Sequence, residues 1–245
     1  MPEGPSIVIL RELLVPFEHR RVTAASGTAK IDMGRLKGKT IQAFRSHGKH
    51  TLICFNDFFI RIHLLMFGSY LINEKKNVAE KLHLQLGKDE VNFYTCHVKL
   101  MEGKPEDHYD FERDVMNKDW SAAKAKKSLK EEPAELICDE LLNQEIFAGV
   151  GNIIKNEVLF RTKLHPLNKI ENIPGAKLTA IIKEAREYSF DFLKWKKDNT
   201  LSKHWEAHKQ KICPRCDIPF HKTYPGKSKR RTYYCNNCQE LYPPA

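Results

Sequence analysis

The sequence predicts an α+β protein built in series: short antiparallel strands first, helices after them, and a cysteine-bound hairpin at the end. Three observations carry this. Between residues 39 and 100, short β-rich runs are separated by turn residues. From residue 134 onward, apolar residues recur with helical spacing. Near the C-terminus, two C-x2-C pairs are separated by 18 residues. The expected division is a β domain over 1–115, a polar linker over 116–133, a helical domain over 134–205 and a four-cysteine finger over 206–245.

The chain starts Met1-Pro2-Glu3. If Met1 is removed, Pro2 becomes a secondary amine beside a carboxylate. An α-amino group titrates near ~7.7–8 and can act as a nucleophile. With Met1 attached, the Pro2 nitrogen is an amide and cannot attack. Taken alone, Pro-Glu is an ordinary and inert way to begin a chain. Residues 6–14 then read as a helix, with Ile7, Leu10 and Leu14 on one side and Ser6 as its N-cap.

The strands are expected at 40–44, 51–55, 58–63, 81–86 and 91–100, with turns at His47-Gly48, Asn56-Asp57, Gly68 and Gly87-Lys88. Strands this short and this closely spaced suggest an antiparallel sandwich or barrel. Helices are expected at 135–145, 152–160 and 176–196. The last carries Leu178, Ile181, Ile182, Ala185, Phe192 and Trp195 on one face.

Lys and Arg outnumber Asp and Glu by 41 to 31, for a net charge of +10. That excess makes a polyanion the first partner to consider. A hydrophobic content of 41% fits a globular chain rather than a disordered one. No stretch approaches the ~20 apolar residues that span a bilayer, and Glu3 stands where a secretory leader would be positive. The expectation is a cytoplasmic monomer with no membrane partner. Cys54, Cys96 and Cys138 stand singly in apolar contexts and read as packed, reduced thiols.

Cys213, Cys216, Cys235 and Cys238 are different. Two thiolates two residues apart bind one ion from a tight turn, and two such knuckles complete a tetrahedron. The expected cofactor is one structural Zn2+ ion, with the coordination sphere closed. Between the knuckles lies a basic stretch with interleaved aromatics, including Lys227, Lys229, Arg230, Arg231 and Tyr233. It reads as a hairpin with a basic tip for phosphates or a groove, against the plainer reading of a solvated loop. Gly149-Val150-Gly151 follows a helix and lacks a third glycine, so it is no dinucleotide fingerprint. Asn152 opens the next helix, either holding a phosphate or simply capping.

Taken in order, Pro2-Glu3-Gly4-Pro5, Gly48-Lys49, Gln144 through Asn152, and the finger ending in Arg230-Arg231-Thr232-Tyr233-Tyr234-Cys235 resemble the formamidopyrimidine-DNA glycosylase/endonuclease VIII family of base-excision repair enzymes. The resemblance covers essentially the whole chain. It implies an N-terminal β-sandwich, a helix-two-turn-helix module with a zinc finger, and damaged double-stranded DNA in the cleft between them. It implies a bifunctional glycosylase/AP lyase that acts through a Schiff base on the N-terminal proline and cuts by β,δ-elimination. Pro2 would be the nucleophile, Glu3 the acid/base and Lys49 a lesion-phosphate contact. Asn152 and Arg230 would hold backbone phosphates, with Arg231 an alternative to Arg230.

The loop His63 to Gly68 matches the family loop that fills the hole left by an extruded base, which makes Leu65, Met66 and Phe67 the candidates. The competing reading places them in the core. Phe111 and Arg113 are candidates for a second wedge loop. Gly4 and the short stretch from Asp198 to Ile212 resemble the endonuclease VIII branch, which favours oxidised pyrimidines. Ser6 departs from the family, which commonly has glutamate there. Two other classes remain: a zinc-finger protein that binds damaged DNA without cutting it, and an RNA-binding zinc ribbon.

Overall fold

The computed structural model describes residues 2–244, which divide into two compact units at residues 110 and 111. Each unit has its own core.

The first unit begins with helix α1, Gly4–Leu14. It starts three residues earlier than a Ser6 cap would place it, because Glu3 occupies the N-cap position in extended conformation. The Glu3 carbonyl accepts from Ser6 N at 2.8 Å, and Pro5 sits in the first turn, where no N–H is required. Strands β1 Ala24–Ser26, β2 Ala43–His47, β3 His50–Cys54, β4 Phe58–His63, β5 Ser69–Ile72, β6 Leu82–Leu86, β7 Asp89–Tyr94 and β8 His97–Glu102 follow. They form two four-stranded antiparallel sheets, ordered β1-β6-β7-β5 and β2-β3-β4-β8. The run expected as one strand over 91–100 is two, β7 in one sheet and β8 in the other, with Thr95 at a positive φ of 51° between them.

Alternation puts Leu82, Leu84, Leu86, Val91 and Phe93 of one sheet into the same core as Phe44, Ile53, Ile60, Ile62 and Val98 of the other. Each fully buried Leu, Ile or Phe contributes ~1.5–3 kcal/mol. Helix α1 packs on β2 and β3 and adds Ile7, Leu10 and Leu14 to that core.

In the second unit, the expected linker over 116–133 contains a helix, α2, Ala122–Glu131. Ser121 caps it by accepting from Lys124 N at 3.2 Å. Of its four apolar residues, Ala125 and Leu129 are buried against the following helices, so its lysine-rich sequence hid a packed element. The helix expected over 135–145 is only α3, Ile137–Glu140, followed by turns through Gly149. Helices α4, Asn152–Arg161, and α5, Gly175–Lys197, complete the module. The buried stripe on α5 is Leu178, Ile181, Ile182, Ala185, Tyr188 and Phe192. Strands β9 His221–Thr223 and β10 Thr232–Tyr234 form the terminal hairpin, and β10 packs on α4. Among the described residues, no helix is long and apolar enough to cross a membrane.

Candidate functional site

The site residues of the first unit gather around α1 and the β2–β3 hairpin. Pro2 is half-buried, immediately before the helix, and Glu3 is 1% exposed. Glu3 sits at the N-cap of α1, where the helix dipole favours a negative charge. Gly48 and Lys49 form a two-residue turn between β2 and β3, with His47 paired to His50. Gly48 has φ 53°, the positive value that this kind of hairpin asks of its first central residue. The turn therefore fixes Lys49 at the end of the two strands that α1 packs against.

A row of histidines, which the sequence reading missed, crosses the same sheet end. His47, His50, His63 and His97 are lateral neighbours on β2, β3, β4 and β8. His47 Nε2–H donates to the Asp110 carbonyl at 3.1 Å, and the Tyr109 hydroxyl lies 3.3 Å from His50 Nδ1. Burial, reinforced by His63, Arg61, His47 and Lys49, pushes the pKa of His50 down to about 3 from its ordinary 6.5. The folded chain thus binds fewer protons than the unfolded one between these values. The resulting contribution to stability is whole above pH 6.5 and is lost as pH falls below it. By pH 5 the loss is about 2 kcal/mol. In His50→Gln, urea unfolding at pH 7 and pH 5 should show a decrease in stability smaller by about that amount. Equal decreases in both proteins would mean that His50 is charged in the folded state.

Leu65, Met66 and Phe67 are 46%, 52% and 80% exposed, so the core reading of these residues does not hold. They lie on the loop between β4 and β5. Leu65 carries a positive φ of 54°, and a Cβ on Gly68 would come within 1.8 Å of the Leu64 carbonyl oxygen. That tight turn holds three large apolar side chains toward water. Phe111 and Arg113 form no comparable loop: they lie in a short 3-10 turn, and Arg113 donates to the Glu145 carbonyl.

In the second unit, Cys213, Cys216, Cys235 and Cys238 bring their sulfurs within 4.8 Å of one another. The Cys213 and Cys238 sulfurs are 3.7 Å apart. Each pair closes a knuckle: Asp217 N donates to the Cys213 carbonyl at 2.9 Å, and Gln239 N to that of Cys235 at 3.0 Å. Four converging sulfurs can hold a metal ion. The other three cysteines are buried, and burial raises their thiols to about 11 for Cys54 and Cys96 and about 12 for Cys138.

Helix α4 holds the hairpin through its first polar residues. The Arg231 carbonyl accepts from Asn152 Nδ2 at 2.9 Å and Asn156 Nδ2 at 3.3 Å. Tyr233 N donates to Asn156 Oδ1 at 2.9 Å, and the buried Lys155 ammonium to Thr232 Oγ1 at 2.7 Å. Gly151, not Asn152, is the N-cap, so Asn152 spends its amide donor on the finger. That amide carries two N–H groups and gives one of them to this bond. The second anchor is Glu157, fully buried, which accepts from the backbone N–H groups of Glu206, Ala207 and His208. Burial still pushes its pKa up, against those three bonds. Lys155, Asn156 and Glu157 read as ordinary helix polarity in the sequence, and only the packing shows their role.

The formamidopyrimidine-DNA glycosylase N-terminal domain matches residues 1–97, and the formamidopyrimidine-DNA glycosylase H2TH domain matches 112–198. The formamidopyrimidine-DNA glycosylase of Corynebacterium glutamicum is 30% identical over 214 residues, 75% of this chain and 72% of that protein. The chain belongs to the formamidopyrimidine-DNA glycosylase/endonuclease VIII family. Within that family, endonuclease 8-like 3 of Mus musculus is 32% identical over 205 residues, 80% of this chain. The chain spans only 34% of the length of that protein. Among solved structures, a viral DNA glycosylase superposes with a TM-score of 0.84 at 21% identity, covering 97% of this chain and 100% of the other. The Lactococcus lactis formamidopyrimidine-DNA glycosylase bound to DNA containing an AP site gives 0.84 at 19%, covering 97% and 99%. At those identities the likeness is one of fold. It is the fold of this glycosylase family, a β-sandwich followed by a helix-two-turn-helix module, and in this chain the module ends in the four-cysteine hairpin.

Proposed function

We propose that the chain is a bifunctional DNA glycosylase and AP lyase that removes oxidised bases, oxidised pyrimidines foremost, from duplex DNA. The observation that carries this reading is the pairing of Pro2 with a buried Glu3 at the start of a helix packed on the hairpin that presents Lys49. The choice of pyrimidines rests on the resemblance to the endonuclease VIII branch, whose name endonuclease 8-like 3 shares.

Once Pro2 is the N-terminal residue, its secondary amine attacks C1′ of the damaged nucleotide. The bond from C1′ to the base breaks, the base leaves with a proton, and Glu3 passes a proton to the opening sugar. The resulting iminium acidifies the C2′ hydrogen, so the 3′ phosphate departs by β-elimination. A second elimination releases the 5′ phosphate. Lys49 neutralises phosphate charge beside the lesion, while Asn152, Arg230 and Arg231 hold the backbone further along. The base must first leave the stack, and Leu65, Met66 and Phe67 fill its place.

Zinc fits the four sulfurs. Zn–S bonds of ~2.3 Å in a tetrahedron place sulfurs about 3.8 Å apart, close to the 3.7 Å between Cys213 and Cys238. Bound there, zinc would fix the finger and would take no part in the chemistry.

Borohydride added to the protein and a duplex carrying dihydrouracil or thymine glycol should reduce the iminium to a stable covalent complex. The peptide cross-linked to DNA should start at Pro2. Cross-linking through an internal lysine, or a chain that keeps Met1 and binds without cutting, would sink the proposal. Replacing Leu65, Met66 and Phe67 together with alanine should leave the melting temperature unchanged. It should weaken binding to an abasic-site duplex on the order of tenfold, measured by fluorescence anisotropy.

A further inference from the structure

The stretch between the two knuckles was expected to end in a free basic tip. Instead, its turn is bound to α3. The Asp139 carboxylate accepts from Lys227 N at 2.8 Å through Oδ2 and from Ser228 N at 3.0 Å through Oδ1. The Lys227 ammonium donates to Glu135. Gly226 has φ 66°, and a Cβ there would lie 1.9 Å from Asp139 Oδ2. Only glycine lets the turn approach the carboxylate so closely. Three residues further on, the chain is gripped a second time: the Arg231 carbonyl, Thr232 hydroxyl and Tyr233 N are bonded by Asn152, Lys155 and Asn156 of α4.

Lys229 and Arg230 therefore span a short bridge between two fixed points on different helices. Lys229 adopts φ 46°, the left-handed conformation that the short span imposes. Two backbone bonds to one carboxylate are charge-assisted and fix the main chain of the turn, whereas the Lys227–Glu135 pair holds only the end of a flexible, exposed lysine side chain.

We infer that Asp139 is a positioning residue for DNA binding: its carboxylate latches the finger turn to α3 and so sets where Arg230 and Arg231 meet the phosphate backbone. This rests on the reading of those arginines as DNA contacts.

Asp139→Asn tests it, because asparagine keeps one acceptor oxygen and turns an NH2 group toward an N–H. In the zinc-loaded protein, hydrogen exchange at the amides of Lys227 and Ser228 should rise at least about tenfold. Affinity for an abasic-site duplex should fall about tenfold. The slope of log K against log salt should become shallower by about one, the signature of a lost phosphate contact. In an Arg230→Ala, Arg231→Ala background, Asp139→Asn should weaken binding little further, which a general loss of structure would not produce. Lys227→Ala, which keeps the backbone bonds, should leave the slope unchanged. Unchanged amide exchange overturns the latch, and so does a fully additive effect in the arginine-free background. A wild-type chain that does not bind the duplex at all overturns the reading of the arginines, and with it the role given to Asp139, even where the amides respond.

Discussion

A chain with even one residue left ahead of Pro2 will bind abasic-site duplex and form no covalent complex with it. The amine is the only part of the proposed chemistry that such an extension removes. An amide nitrogen has its lone pair delocalised into the carbonyl, and a tertiary amide has no proton to lose and cannot become an iminium. The rate of borohydride trapping should drop on the order of a thousandfold or more. Binding should persist, because Lys49, Asn152 and the finger arginines are untouched. The extension costs little stability, since Pro2 is half-buried and α1 is nucleated by Glu3 and Pro5. Glu3→Gln provides the complementary case. It keeps the size of the side chain and the helix start but removes the proton carrier, so trapping and base release should both slow while the N-terminus stays free. Intact mass settles which terminus each preparation carries. Undiminished trapping by the extended chain would eliminate Pro2 as the nucleophile.

Removing the zinc proposed for the four cysteines will cost the chain its finger. Strands β9 and β10 have three residues each, and a two-stranded hairpin of that length is not stable by itself in water. Its core consists of Cys213, Cys235, Ala207 and Phe160, with Phe220 against it. Zinc binding to such small domains supplies roughly 10–16 kcal/mol of folding free energy. Cys235→Ser replaces a fully buried ligand. The variant should lose one zinc per chain by elemental analysis and the near-ultraviolet circular dichroism of the buried Tyr233 and Tyr234. Affinity for duplex should fall on the order of a hundredfold or more, since both the Arg230–Arg231 segment and its grip on α4 depend on β10. The β-sandwich unit has a separate core and should retain its own unfolding transition. Chelation of the wild-type protein should do the same, reversibly. Retention of full affinity after metal loss would rule out the finger as a DNA-holding element.

The elements that the sequence made legible were those with strong local signals. The alternation over 82–86, the β-rich run over 58–63 and the apolar stripe of α5 were readable, and each forms the element its pattern describes. So were the two C-x2-C knuckles, whose spacing already encodes the geometry of a shared ion. What stayed hidden had weak local signals. Helix α2 carries four lysines and only two buried side chains, so its helicity rests on the Ser121 cap and on packing against α5. Strands β1 and β5 are short and half-exposed, and they exist because β6 and β7 offer edges to pair with.

The opening Pro2-Glu3 shows the division most clearly. The sequence by itself determined the chemistry available: a secondary amine beside a carboxylate, a lysine in a tight turn, four thiolates in two knuckles, and a basic stretch between them. Residue type and spacing fix those properties, because they reside in single side chains or within a few bonds of one another. Only the tertiary structure decided that Glu3 is buried, that Leu65, Met66 and Phe67 stand in water, and that Asp139 holds a turn 88 residues away. Contacts of that kind depend on where the whole chain packs, and no local pattern of residues records the partner across such a distance.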